Sequence, residues 1–220
     1  MKIHILCENS KFYSGRAYLV LGSWNRLEDV NTLVDTGVDG SIIDEIERTY
    51  TGVGKKPVEQ VILTHGHFDH SGGLAALIKW YRPKVYAFSP QAGVDQLLRH
   101  GDLLPMGETT VEVIHTPGHT QDSICLYAAA EKALFSGDTP LKILSPTAGY
   151  SGEFLEALER IAAREIDMVY PGHGAPWGGN VGELLNESLV NVRNNTLLDH
   201  LSGRFVPYRE VMKDIKLSLN

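Results

Sequence analysis

The sequence predicts an α/β sandwich in which two strand-and-helix halves pack sheet against sheet with their helices outside. Three observations predict it. Four apolar runs, at 61–63, 111–114, 133–135 and 168–170, each lead through a glycine-bearing turn to a histidine or aspartate. Strand, turn and polar residue in that order is how the edge of a sheet collects groups from distant parts of a chain. The plan of strands followed by a helix also occurs twice, at low similarity, and 220 residues suffice for one substantial core, so a single domain over 1–220 is expected.

In chain order, Lys2–Leu6 alternates polar and apolar residues and Ala17–Leu21 is rich in β-formers, so both are expected as strands. The loop between them holds Phe12 and Tyr13, read either as an apolar lid over a cleft or as packing on the sandwich edge. Residues 31–35 read as a buried strand, and Ser41-Ile42-Ile43-Asp44 as a capping box opening a helix. A strand at 58–64 then feeds His65-Gly66-His67-Phe68-Asp69-His70, and a helix from about Ser71-Gly72-Gly73 is expected to bury Leu74, Leu77 and Ile78. Its glycines and free amides are expected to approach the site.

Further on, 84–88 reads as a strand and Ser89-Pro90 as the start of a helix through Val94, Leu97 and Leu98, with His100 at its C-terminal end. Short strands are expected at 111–115, 123–127 and 133–135. A helix at 151–163 is capped by Ser151, with Phe154, Leu155, Leu158, Ile161 and Ala162 inward and Glu156, Glu159, Arg160 and Arg164 on a solvated face. After a strand at 168–170, a helix from Asn180 through Leu197 to Ser202-Gly203 and a last helix from Val206-Pro207-Tyr208 through Val211, Met212 and Ile215 complete the reading.

Three histidines and an aspartate within six residues, at 65–70, are too many for helix capping, which needs one residue and prefers Ser, Thr, Asp or Asn. Imidazole and carboxylate are the donors that suit divalent zinc. With one residue from each later segment the candidates are seven: His65, His67, Asp69, His70, His119, Asp138 and His173. One zinc takes about four ligands, so seven with water suit two metals about 3.5 to 4 Å apart that share a carboxylate. Asp35, at a strand end, is expected to orient a ligand histidine rather than to bind metal. His4, His100 and His200 fall outside the pattern, and His115 is a neighbour or core residue.

H-x-H-x-D-H followed by Gly72-Gly73, then Thr116-Pro117-Gly118-His119-Thr120, Ser136-Gly137-Asp138-Thr139 and Pro171-Gly172-His173-Gly174, resembles the metallo-β-lactamase superfamily, nearest its glyoxalase II-like members. Leu33-Val34-Asp35-Thr36-Gly37 matches the first family motif. The resemblance implies the four-layer αβ/βα sandwich. It implies His65, His67 and His119 on one metal, Asp69, His70 and His173 on the other, and Asp138 between them, with Asp69 also catalytic by orienting the attacking hydroxide. The expected cofactor is two divalent ions, zinc first and iron as the alternative, and the expected activity hydrolysis of a small thioester or other acyl ester.

Several related chemistries stay in play. A mononuclear iron persulfide dioxygenase would use His65, His119 and Asp138, and lactonases and phosphodiesterases share the motifs. His67, where flavodiiron proteins have Glu, argues against a flavin-linked diiron enzyme. His70 and Asp138 argue against antibiotic hydrolysis, and Thr139-Pro140-Leu141-Lys142 lacks the tyrosine that acyl-homoserine lactonases carry after the bridging aspartate. The residues after His173 are too few for the helical domain with which glyoxalase II holds glutathione, so that substrate is not carried over. Lys142 and Tyr150 are candidates to grip a substrate carboxylate.

A formal charge of −7 and a pI near 5.7 offer phosphate backbones no general attraction, so no nucleic-acid partner is expected. No apolar run is long enough for a membrane span and the start lacks a signal-peptide pattern, so a cytoplasmic protein without a membrane partner is expected. Cys7 and Cys125 are too few for a disulfide framework and read as buried strand residues. The sequence does not specify an oligomeric state, a homodimer included.

Overall fold

Two six-stranded sheets organise the chain in this computed structural model, which describes residues 1–7, 13–145 and 150–194 together with the backbone of 196–198 and 205–207. The first sheet runs in spatial order β1 (Lys2–Leu6), β2 (Ala17–Leu21), β3 (Thr32–Val34), β4 (Gln60–Ile62), β5 (Lys84–Ala87) and β6 (Gln96–Leu97). Between β3 and β4 comes α1 (Ile42–Glu47), and between β4 and β5 come α2 (Phe68–Ser71) and α3 (Leu74–Tyr81). The second sheet takes the remaining long strands: β7 (Leu103–Met106), β8 (Thr109–His115), β9 (Ile124–Ala128), β10 (Ala133–Gly137), β11 (Met168–Pro171) and β12 (Trp177–Gly178). α4 (Gly152–Ala162) precedes β11, α5 (Val181–Asn194) follows β12, and β13 (Thr196–Leu198) pairs with β14 (Phe205–Pro207) as a separate ribbon.

The layers follow from alternation along each strand, because successive side chains point to opposite faces. In β2, Ala17, Leu19 and Leu21 pack under α1 and α3, while Tyr18 and Val20 face the other sheet. In β4, Val61 faces the helices and Ile62 the opposing sheet. The second sheet mirrors this: Ile114, Cys125, Leu134 and Val169 pack under α4 and α5, and Val113, Ile124, Leu126 and Phe135 face inward. Helices, sheet, sheet and helices therefore make the expected αβ/βα sandwich. Central strands buried on both faces are mainly apolar, as β2 is throughout and β10 is but for Ser136.

Strand direction brings the functional loops to one end. β3, β4 and β5 are parallel, and β8, β10 and β11 share one direction because β8 and β10 each run antiparallel to β9 while β10 pairs parallel with β11. β1 and β2 are antiparallel neighbours, and β2 is antiparallel to β3, so the loop joining β1 to β2 emerges at the end where β3 and β4 finish. Every loop that follows a predicted ligand strand, and this first loop, meets there.

Several expectations are corrected. No helix follows Ser89-Pro90: Gly93 has φ +87°, the Asp95 carboxylate accepts from Val85 N at 2.8 Å, and Asp95 N and Leu98 N donate to Val85 O and Ala87 O. Pairing with β5 outweighs the local cap signal, and His100 lies in a turn. α1 forms without the capping box, since Ser41 is itself helical (φ −63°, ψ −21°) and its amide donates to Asp39 Oδ1. α5 ends at Asn194; Leu197 lies in β13 and Val206 and Pro207 in β14, where a proline is tolerated because the ribbon has free edges. The last helix expected through Val211, Met212 and Ile215 falls outside the described residues, as does Phe12. Pro105 hid β7, an edge strand that accommodates it in the same way.

Arg160 and Arg164 are not merely solvated. Arg164 forms a paired contact with Glu112 on β8, and Arg160 Nη2 donates to His115 O. Ser151 caps α4 as expected, accepting from Phe154 N at 3.1 Å. Cys125 is a buried strand residue, whereas Cys7 is buried one position past β1 in the left-handed region.

Candidate metal centre

Asp35 follows β3 at φ +59°, a backbone region that aspartate tolerates better than most residues. Its buried carboxylate accepts from Thr64 N at 2.7 Å and from Thr64 Oγ1 at 2.8 Å, and lies 2.8 Å from His70 Nδ1. Thr64 Oγ1 has one proton and gives it to Asp35. Toward His65 Nδ1, at 3.1 Å, it must therefore accept, which puts the ring proton on Nδ1 and leaves a lone pair on His65 Nε2. One carboxylate thus orients two imidazoles, one directly and one through a threonine.

All seven candidates converge. Their donor atoms form three overlapping groups, His65/His67/His119, His65/His70/Asp138 and Asp69/His70/His173, each with its atoms within 4.8 Å of one another. His119 Nε2 is 3.0 Å from His67 Nδ1 and 3.4 Å from Asp138 Oδ2. His173 Nε2 is 3.1 Å from Asp69 Oδ2 and 3.4 Å from His70 Nε2 and from Asp138 Oδ2. The other Asp138 oxygen faces His70 Nε2 at 3.3 Å, so this carboxylate touches both outer groups.

The donor set fits cations. His65 Nε2 is buried with no hydrogen-bond partner, a costly arrangement unless something positive joins it, and Asp138 Oδ1 is buried with only His70 Nε2, at 3.3 Å, beside it. Burial holds His65 down at about 4, so its ring is neutral and a competent donor at neutral pH. Burial also disfavours charge on His70, but Asp35 and Asp138 outweigh it and raise that imidazole to about 10. A cation that displaces the proton from His70 Nε2 meets Asp138 Oδ1, 3.3 Å from that nitrogen, and Asp69 Oδ2, 3.6 Å from it. Asp138 is held down to about 2, because hydrogen bonding and positive charge from His70 and its neighbours overcome burial. Carboxylates among neutral imidazoles are a donor set whose formal charge a divalent cation complements.

Two glycines let the loops close. A Cβ on Gly172 would lie 2.1 Å from Asp138 Oδ1, and one on Gly15 would lie 2.5 Å from His70 Cε1. By contrast, Gly72 and Gly73 approach the 36–39 loop rather than the site, and their amides donate to Phe68 O and Gly37 O, so the expected free amides are already used. The histidines do not cap a helix either, for His67, which precedes α2, makes no side-chain cap bond.

Of the remaining residues, His115 stacks on Phe88 at 4.0 Å and its Nε2 is 2.8 Å from Gln121 O, away from the cluster. Lys142 Nζ lies over the Trp177 ring at 3.9 Å, and Tyr150 stacks on Phe154 in the α4 layer, so both have protein partners. His200 lies outside the described residues. Tyr13, expected as lid or packing, stacks on His173 with centroids 4.9 Å apart. The antiparallel order of the first two strands could have placed its loop at this end; nothing in the sequence gave its register.

The metallo-beta-lactamase superfamily model matches residues 12–173. This chain belongs to that superfamily. Among curated proteins it is 32% identical to a probable hydroxyacylglutathione hydrolase, glo2, of Schizosaccharomyces pombe over 157 residues, covering 66% of this chain and 59% of that one. It is 34% identical to an atrochrysone carboxyl ACP thioesterase of Passalora fulva over 124 residues, covering 54% of this chain and 37% of the other. The matches thus span about a third to three fifths of these relatives. Among solved structures, ETHE1 from Myxococcus xanthus superposes with a TM-score of 0.66 at 21% identity, covering 87% of this chain and 88% of that one, a likeness of fold. Among the described residues, no helix is long and apolar enough to cross a membrane.

Proposed function

We propose that this chain is a metal-dependent hydrolase of small acyl thioesters or esters, with water as the second substrate. The observation that carries the reading is the cluster itself: two three-residue sets meet at one shared carboxylate, with the buried His65 Nε2 lone pair unsatisfied among them. A closed structural site would need about four ligands, and seven exceed it. The thioesterase and hydroxyacylglutathione hydrolase names of the relatives support an acyl substrate.

His65, His67 and His119 would hold one ion and Asp69, His70 and His173 the other, with Asp138 serving both. Zinc suits these donors. Bound there, the pair would supply a water acidified from a pKa of about 15.7 to about 7 and an electrophile for the acyl oxygen. The chain's own groups do the rest. Asp35 and Thr64 fix the His70 and His65 tautomers before substrate arrives, so no reorganisation is needed during the reaction. Asp69, with Oδ2 at the His173 and His70 nitrogens, orients the attacking water and takes its proton.

Metal analysis on protein purified without added metal, followed by a thioester, lactone and phosphodiester panel, tests the reading. About two zinc per chain with thioester or ester turnover is the expected result. One iron per chain with oxygen uptake would replace it by the dioxygenase alternative, and turnover confined to phosphodiesters would move the substrate class.

A further inference from the structure

Tyr13 brings a phenol into the metal centre from outside the seven-residue set. Its ring stacks on His173 at an interplanar angle of 20°, and its hydroxyl oxygen lies 3.4 Å from His173 Nε2. That nitrogen is where Asp69, His70 and Asp138 also converge, so the hydroxyl stands beside the second set, next to its His173 donor atom. The loop behind it is fastened to both ligand loops: Gly15 N donates to Asp69 O at 3.0 Å, Arg16 N to Gly172 O at 2.6 Å and Arg16 Nε to Gly174 O at 3.3 Å. Ser14 Oγ accepts from Val38 N on the third side. Yet Tyr13 is 78% exposed, so a ring pinned on one face keeps its edge and hydroxyl open to an incoming molecule.

A phenol so placed can bind metal as a phenolate or donate a hydrogen bond as a neutral hydroxyl. The seven histidines and aspartates already complete two sets, which leaves the donor role. We propose that Tyr13 is a catalytic residue whose hydroxyl donates to the acyl oxygen of the substrate as that oxygen gains negative charge, a role that rests on the hydrolase reading above. As the water oxygen bonds to the acyl carbon, the carbonyl π pair moves onto the acyl oxygen, and the Tyr13 O–H binds that oxygen while keeping its proton. The pair returns to re-form the carbonyl as the bond to the thiolate or alkoxide breaks. The proton lost by water passes through Asp69 to that leaving group.

An apolar lid would not need the hydroxyl, so Tyr13→Phe separates the two roles. In the metal-loaded full chain, Y13F should lose about 100-fold in kcat with KM within about twofold and metal content unchanged, the scale of removing one donor to a developing oxyanion. Y13A, which also removes the stack, should raise KM as well. A second readout needs no turnover: by calorimetry, affinity for tetrahedral methylphosphonate should fall about tenfold or more in Y13F while affinity for planar acetate holds. A kcat within about threefold of the parent, loss of metal from Y13F, or equal weakening of both probes would overturn the assignment. If the parent hydrolyses nothing in the panel, the hydrolase reading fails by itself. The phosphonate-to-acetate ratio then decides for Tyr13, and a ratio unchanged in Y13F rejects it.

Discussion

Replacing Asp35 with asparagine removes one charge and one acceptor from a buried site at almost constant volume. Asp35 has three partners, Thr64 N, Thr64 Oγ1 and His70 Nδ1, at 2.7 to 2.8 Å. An asparagine can accept from two of them with its oxygen at the Oδ2 position, but its amide then opposes the Thr64 N–H, donor against donor. Each hydrogen bond to a charged group contributes about 1.5–3 kcal/mol, so losing one outright and weakening two should destabilise the metal-free fold by about 2–4 kcal/mol. The metal site should suffer separately, since groups that orient ligand histidines affect metal affinity or activity by about 10 to 100-fold. Urea unfolding of chelator-treated protein measures the first effect and zinc titration against a competing chelator the second. If D35N matches the parent in zinc affinity, the claim that Asp35 orients His70 and His65 is wrong, whatever the change in stability.

Asp138→Ala should lower metal per chain below that of His67→Ala, because Asp138 touches both sets and His67 only one; elemental analysis checks the order, and full turnover in either variant would reject the assignment. Gly15→Ala should fold but bind metal weakly, its new methyl displacing His70 from Asp138, a change visible in the histidine NMR spectrum. The metal-free protein should lose stability as pH rises from about 6.5 through about 10. The raised His70 pKa means that the folded state keeps a proton the unfolded chain has released, so the contribution is complete below the unfolded value and gone above the folded one. Asp138, held down to about 2, acts in the opposite sense, with its contribution lost only as pH falls from about 4 through about 2. Urea midpoints across pH on chelator-treated protein test both.

The strands and the cluster were legible because each rests on a local signal: period-two alternation for Lys2–Leu6, richness in β-formers for Ala17–Leu21, and donor types packed within a few positions for His65 to His70. What failed depends on partners far away in sequence. Ser89-Pro90 carries a sound helix-start signal, but Asp95 finds the Val85 backbone and the segment joins a sheet. Arg164 sits on the polar face of α4 by spacing, and only the fold places Glu112 beneath it. Asp35 could be put at a strand end near the site, yet its double hold on Thr64 and His70 required the loops after β3 and β4 to meet. Tyr13 was visible as an aromatic in a loop, but its contact with His173, 160 positions away, was not.

Each outer donor set is split between the two sheets. His65 and His67 come from the loop after β4 and His119 from beyond β8; Asp69 and His70 belong to the first half and His173 to the second. Neither half, cut loose from the other, owns a complete grip on an ion. On the proposed function, loading would follow docking of the halves, and bound metal would act as a rivet across the seam, raising resistance to unfolding by mass action as its concentration exceeds the dissociation constant. A chelator would then be a tool for prising the sandwich open along its midline.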